Sequence, residues 1–422
     1  MTGTSRLRRS LGAATAALAL AALAACGSDH PNSTFLHWTE FGRDIDFLWD
    51  RLLGWGTAVF VLVEAVLVYT IIRFRAKPDG PTPVQTHGNT TLEITWTIVP
   101  AVILVFIAVP TVRTVFKTQA KAPDSALQVE VIGHQWWWEF KYPQYGITTA
   151  NELYLPVGRT VNFALKTKDV LHSFWIPNLG GKRDLISNRT NYLWFTPDSI
   201  GAAAMNGQCA EYCGDSHANM KFKVFTVAPA DFESWAAHQK RPAVFGVAPA
   251  APATPAVPVK SAARGAVAAA PAPADTAPPV GYAFPADQIK PFWWPKTPLP
   301  AGLAEIPDAV LAQGDAARGK DTYSRSACIG CHTITGNPMS MGVIGPNLTH
   351  FGSRHTLAAG LFPNDAKHLA MWIKNSRMMK PGVLMNTQGM NEMDPMMHQK
   401  VTTGGLTDAQ VADVVAYLRA LK

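Results

Sequence analysis

The 422-residue chain is expected to be multidomain: a two-helix transmembrane hairpin, an all-β sandwich and a small all-α domain. Three observations predict this. Two apolar runs in the first 120 positions are each long enough to cross a hydrocarbon core of about 30 Å. A middle stretch alternates polar and apolar residues over strand lengths, with Gly and Pro between segments. The last segment places Val411, Val414, Val415, Leu418 and Leu421 at helical spacing.

In chain order, residues 1–25 read as a signal peptide. Arg6, Arg8 and Arg9 form a basic start, and an Ala/Leu-rich run follows. The run ends in Leu23-Ala24-Ala25-Cys26, which resembles a bacterial lipobox, so Cys26 is the expected site of lipidation. The competing reading is ordinary cleavage after Ala25. Residues 26–122 hold an N-terminal segment and the hairpin, with spans at about 52–72 and 94–112. Arg73, Arg75 and Lys77 between them fit a cytoplasmic loop. An exported start and two crossings put everything after about residue 115 on the outer face of a bacterial cell membrane. Pro100 and Pro110 lie inside the second span, as partner-packed helices tolerate.

Residues 125–235 form the expected sandwich, with strands around 129–132, 160–165 and 221–227. Residues 236–300 turn to Ala and Pro, a linker composition, although Trp293 and Trp294 there suggest a docking patch. Residues 305–422 form the last domain. The net charge is +7, and no dense Lys/Arg run is interleaved with aromatics, so a nucleic-acid partner has no support. From 125 to 235 there are nine Lys/Arg against ten Asp/Glu, and from 305 to 422 eleven against nine. Neither domain therefore carries a strong field to steer a diffusing partner.

Five cysteines are present, and four come in pairs with histidines close behind, which reads as metal or haem ligation. The first pair lies in Cys209-Ala-Glu-Tyr-Cys213-Gly-Asp-Ser-His217-Ala-Asn-Met220. Soft sulfur donors with imidazole select copper over hard cations. Zinc would more often use closer cysteine pairs and no Met. A further imidazole must come from elsewhere, and His172 in Asp169-Val-Leu-His172 is the candidate. A Cys209–Cys213 disulfide is the alternative, but it leaves the spacing of Glu211, His217 and Met220 unexplained.

This pattern resembles the dinuclear copper A centre of cytochrome c oxidase subunit II, a cupredoxin-like domain. The resemblance implies that His172, Cys209, the Glu211 carbonyl, Cys213, His217 and Met220 hold two coppers. It implies that the Glu211 carboxylate holds a magnesium ion at the interface with subunit I. Gly133-His134-Gln135-Trp136-Trp137-Trp138 resembles the family's aromatic strand, whose first Trp receives electrons. Trp136 takes that role by analogy, with core packing as the competing reading, and Trp138 is assigned to packing. Glu93 in Leu92-Glu93-Ile-Thr-Trp96 matches a carboxylate at the mouth of a proton channel into subunit I, with an ordinary interfacial residue as the competing reading. Glu64 lies deeper, in the first span, and has no assigned role.

Cys328-Ile-Gly-Cys331-His332 is the attachment sequence of a c-type haem: the two thiols bind the haem covalently and His332 falls under the iron. Lys380-Pro-Gly-Val-Leu-Met385 resembles the segment of class I cytochromes c that supplies a sixth ligand, which makes Met385 the axial candidate. Asn386 stands where that family often has Pro, and Met390 and Met393 are the next choices. Gly345-Pro346-Asn347-Leu348 matches the segment packed on the proximal side of the haem. His350, His355, His368 and His398 are read as structural or surface residues.

Together the resemblances imply subunit II of a proton-pumping haem–copper oxidase. It would pass electrons from an upstream cytochrome or quinol–cytochrome c reductase through haem c and copper A to haem a of subunit I, with subunit III as a further partner. The competing readings are a nitric oxide reductase relative and a stand-alone lipid-anchored shuttle. The hairpin and Glu93 argue against the shuttle. A nitrous oxide reductase would need a large propeller, and a quinol oxidase branch would lack the copper ligands.

Overall fold

The computed structural model describes residues 32–75, 80, 84–201, 204–243, 281–289 and 297–422. Cys26, the expected signal segment, most of the expected linker and the Trp293–Trp294 patch lie outside the described residues. The described chain falls into two compact units, one of helices up to Lys121 with Pro177–Gly181, the other from Ala122 to Lys422 without that short segment.

The first unit is a helical hairpin. Helix α1 (Glu40–Arg73) starts at Thr39, whose side chain accepts the Gly42 N–H. Helix α2 (Thr90–Gln119) starts at Asn89, which accepts from Leu92 N–H at 3.1 Å. Such caps satisfy amide donors left open at a helix start. Trp55 stacks on Phe106 with centroids 6.2 Å apart, and Lys117 pairs with Asp44 at 2.5 Å. No residue of α2 is buried, and α1 buries only Phe41 and Gly42. Helices this apolar and this exposed need lipid or partner helices around them. Both run well beyond the expected spans. Residues 40–51 carry Arg43, Asp44, Asp46, Asp50 and Arg51, which a hydropathy reading excludes but helical hydrogen bonding continues through.

The second unit opens with the expected sandwich. Its strands are β1 (Leu127–His134), β2 (Trp137–Tyr142), β3 (Ile147–Ala150), β4 (Glu152–Pro156), β5 (Val161–Thr167), β6 (His172–Trp175), β7 (Arg183–Leu185), β8 (Asn191–Phe195), β9 (Met205–Cys209) and β10 (Lys221–Val227). One sheet runs β3-β2-β1-β5-β8 and the other β4-β10-β9-β6-β7. Alternation drives β1: Leu127, Val129 and Val131 are fully buried, while their neighbours are half-buried. Between the sheets, Phe174 and Phe222 stack at 5.1 Å with Trp138 against both, so Trp138 packs as expected. Helix α3 (Pro229–Gln239) covers one end through Phe232 and Trp235, which lie against Tyr142. Residues 281–289 belong to this body although their composition reads as linker. Phe284 is buried against Phe225, and its N–H reaches Tyr154 Oη.

Among the described residues, the remaining α-helices are α4 (Asp308–Leu311), α5 (Ala316–Arg325), α6 (Cys328–Cys331), α7 (Ala366–Met379) and α8 (Asp408–Ala420). Helix α8 is fixed at its start by a capping box between Thr407 and Gln410. Asp413 ties α8 to α5, accepting from Asp315 N–H at 2.7 Å and from Arg318 at 2.9 and 2.7 Å. Burial opposes the charge of Asp413, but these bonds hold its carboxyl below the usual value. Its contribution is therefore present above the ordinary carboxylate range and is lost as pH falls through the lowered value. Asp413→Asn is expected to destabilise this domain by about 1–2 kcal/mol near neutral pH, since Arg318 is largely exposed. Urea unfolding at pH 7 and at pH 3 checks this, because the deficit should shrink in acid.

Candidate functional site

The copper-type ligands converge at one end of the sandwich. β6 carries His172, β9 ends at Cys209, and the connection to β10 carries Glu211, Cys213, His217 and Met220. The pairing of Phe174 with Cys209 sets β6 beside β9 and brings His172 to the loop from 37 residues away. The Cys209 and Cys213 sulfurs are 3.8 Å apart and both thiols are free, well beyond the roughly 2.05 Å of a disulfide. His172 Nδ1 lies 3.9 Å from Cys209 Sγ, and His217 Nδ1 lies 3.6 Å from Cys213 Sγ. Met220 Sδ is 3.8 Å from Cys213 Sγ, and the Glu211 carbonyl is 3.1 Å from Cys209 Sγ. His172, Cys209 and Cys213 also form a cluster whose donor atoms all lie within 4.8 Å of one another. Two thiolates flanked by two imidazoles, a thioether and a carbonyl are a soft donor set, which fits copper.

Electrostatics prepare this set. The contact with Cys213 is the largest influence on the Cys209 thiol and draws it far down, while the same contact and burial push Cys213 up. Burial alone would discharge His172. Its Nε2–H donates to Asp169 at 2.8 Å, and this bond with the Cys209 thiolate lifts its pKa above the ordinary value. The same bond turns Nδ1 towards the sulfurs. Asp169 is a supporting residue that the sequence places three positions before His172, without showing which ring nitrogen it holds.

The haem-type residues surround a separate cavity of about 210 Å³. Cys328 and Cys331 lie on α6, and His332 follows at its end. Half-buried His332 has its pKa lowered by desolvation, and its Nδ1–H donates to Pro346 O at 2.8 Å. Nε2 is thus left with its lone pair for a metal. The approach depends on Gly345, where an added Cβ would stand 2.6 Å from the imidazole. Met385 lines the same cavity, whereas Met390, Met393, His350 and His355 are not among its lining residues. The Met385 loop is held by Arg377, which donates to Asn386 Oδ1 at 2.7 Å and pairs with Asp394 at 2.7 Å, and by Ser376, which donates to Met385 O at 2.8 Å. An apolar cavity between a free imidazole nitrogen and a thioether, with two thiols at its wall, fits a covalent haem.

Trp136 lies between the two sites. It sits in the turn between β1 and β2, is 7% exposed and lines the haem-type cavity. Its Nε1–H donates to Cys213 O at 2.9 Å. Lys380, buried to 2% exposure, donates to Trp136 O at 2.6 Å, and burial brings its pKa down to about 7. Glu93 lies in the helical unit, in the first turn of α2, where Thr97 Oγ1 donates to its carbonyl at 2.8 Å. The Glu211 carboxylate accepts from Tyr212 N–H at 3.2 Å.

Family models match three parts of the chain: the transmembrane domain of cytochrome c oxidase subunit II over residues 40–114, its periplasmic domain over 146–227, and cytochrome c over 316–422. Cytochrome c oxidase subunit 2 of Alkalihalophilus pseudofirmus is 31% identical over 370 residues, covering 86% of this chain and 83% of that protein. Its counterpart from Bacillus subtilis is 29% identical over 373 residues, covering 85% and 82%. The crystal structure of the periplasmic domain of subunit II of cytochrome oxidase of Bradyrhizobium japonicum is similar at 29% identity and a TM-score of 0.27, over 28% of this chain and 97% of that one.

Proposed function

The chain belongs to the cytochrome c oxidase subunit II family, with a cytochrome c domain at its C-terminus, and we propose that it receives electrons from an external donor and delivers them to haem a of subunit I for proton-coupled oxygen reduction. Dinuclear copper A and covalent haem c supply one-electron chemistry when bound. His172, Cys209, the Glu211 carbonyl, Cys213, His217 and Met220 hold the copper, and Cys328, Cys331, His332 and Met385 hold the haem. Trp136 is where electrons pass to the copper loop. One observation carries this reading: the Trp136 indole lines the haem-type cavity and hydrogen-bonds the carbonyl of Cys213.

The chain's own residues do the positioning. Asp169 orients His172, the Pro346 carbonyl orients His332, and the apolar cavity walls exclude water from a bound haem. Glu93 is proposed as the mouth of a proton path and the Glu211 carboxylate as a magnesium ligand facing subunit I. The copper and haem domains lie on the outer face of a bacterial membrane, with Cys26 lipidated after removal of the signal. Subunits I and III are the proposed partners, and an upstream cytochrome or quinol–cytochrome c reductase is the donor.

The test uses the purified native complex, with optical and paramagnetic resonance spectra and with oxygen and nitric oxide consumption measured side by side. The expected result is a mixed-valence two-copper signal, a c-type band and donor-driven oxygen uptake. Both signals with nitric oxide turnover and negligible oxygen uptake would overturn the assignment to an oxidase.

A further inference from the structure

Composition reads residues 236–300 as a linker, and a tether of this kind makes the two redox domains meet often without fixing how. The contacts describe something more specific. Glu152, 3% exposed at the start of β4, turns its carboxylate onto the haem domain. Its Oε1 accepts from His355 N–H at 2.7 Å, Thr356 N–H at 2.8 Å and Thr356 Oγ1 at 3.1 Å. Lys221 N–H, at the start of β10, donates to Ala359 O at 3.2 Å. Buried carboxylates and amides need such partners, and these come from the other domain.

A second set of contacts surrounds Trp136. Gly214 of the copper loop and Gly382 of the haem loop both press on the indole. A Cβ at Gly214 would lie 2.9 Å from Trp136 Cζ2, and one at Gly382 would lie 2.6 Å from Cη2. Both glycines have positive φ, +110° and +81°, which side chains beyond glycine rarely adopt. Lys380 Nζ donates to Trp136 O at 2.6 Å and to Ala358 O at 3.2 Å. Ser216, fully buried beside His217, donates to Pro381 O at 2.6 Å. Two hydrogen-bonded routes thus join the Met385 loop to the copper loop: Lys380 to Trp136 to Cys213, and Pro381 to Ser216.

We propose that these contacts form a seat that fixes the haem and copper domains in one electron-transfer register, with Lys380, Gly382 and Ser216 as its positioning residues. The proposal rests on the electron route given above and adds the residues that set its geometry. A buried lysine satisfied by two carbonyls is an expensive way to gain stability and an effective way to specify a single arrangement. The indole between two glycines leaves neither domain room to slide without losing the contact.

The test uses the complete oxidase complex carrying Lys380→Met, Gly382→Ala or Ser216→Ala. An electron is photo-injected into haem c and its equilibration with copper A is timed. Spectra and midpoint potentials of both centres are recorded, together with amide hydrogen exchange of residues 213–217, 355–360 and 380–384. The expected result for Lys380→Met and Gly382→Ala is equilibration slowed by about tenfold or more, because small misplacements of reacting groups are costly. Spectra and potentials should stay at parental values while exchange rises together in the three segments. Ser216→Ala, which removes one bond without strain, should show the same pattern at smaller size. Raised exchange with an unchanged rate would reduce the seat to packing, and unchanged exchange in all three variants would overturn it. If the parent complex shows no equilibration between haem c and copper A, the electron route itself fails, and the exchange data still decide whether the seat exists.

Discussion

Cys213→Ser is expected to remove the mixed-valence copper signal and reduce donor-driven oxygen uptake to the assay background. Cys213 is the hub of the copper loop. Its sulfur lies 3.8 Å from Cys209 Sγ, 3.6 Å from His217 Nδ1 and 3.8 Å from Met220 Sδ. A hydroxyl is a hard donor that stays protonated near neutral pH, so it neither bridges nor suits a soft site. The substitution spares the backbone: the Cys213 carbonyl still accepts from Trp136 Nε1 and Gln135 Nε2 at 2.9 and 2.8 Å. The haem domain should therefore stay docked and keep its c-type band, while the copper domain loses the stabilisation a bound metal gives the native state. Metal analysis, paramagnetic resonance and a thermal melt on the same sample check this. Two coppers per chain with the parental signal in Cys213→Ser would remove Cys213 from the ligand set.

Both sites were legible in the sequence to the extent that their ligands lie close along the chain. Cys209, Glu211, Cys213, His217 and Met220 fall within one loop, so spacing alone suggests convergence, and Cys328, Cys331 and His332 are a single helical turn. The strand at 221–227 coincides with β10, although the strand is buried from Phe222 through Val227 rather than on alternate residues. His172 is legible only as a candidate imidazole from elsewhere in the chain, since the pairing of β6 with β9 that delivers it is a tertiary event. The contacts between the two redox domains were not legible. Glu152 reaches Thr356 across 204 residues and Lys380 reaches Trp136 across 244. Nothing local marks either charge as buried; Lys380 reads as part of a haem-loop motif, and Glu152 as one polar residue in a strand. The start of α1 at Glu40 was likewise hidden, because charged residues mask a helix from a hydropathy reading while leaving its hydrogen bonds intact.

The double substitution Cys328→Ala with Cys331→Ala is expected to yield a complex with a normal copper signal, no covalent haem and no oxygen uptake from a protein donor. Both thiols stand at the wall of the cavity that also holds His332 and Met385, so removing them takes away the covalent hold and leaves only axial ligation. The consequence for copper follows from burial. Trp136 is 7% exposed and pressed by Gly214 and Gly382, so a soluble cytochrome cannot reach the indole while the haem domain stays docked. The docking bonds of Glu152 and Lys380 involve neither cysteine and should persist. Small reductants are not held to that surface, and they should still reduce the copper and sustain slow oxygen uptake. The two donor classes therefore separate: the protein donor falls to background, while the small reductant retains part of the parental rate. If a soluble cytochrome drives the variant at the parental rate while amide exchange shows residues 355–360 still protected, electrons reach copper without haem c. Trp136 would then be open from a side that its contacts here do not provide.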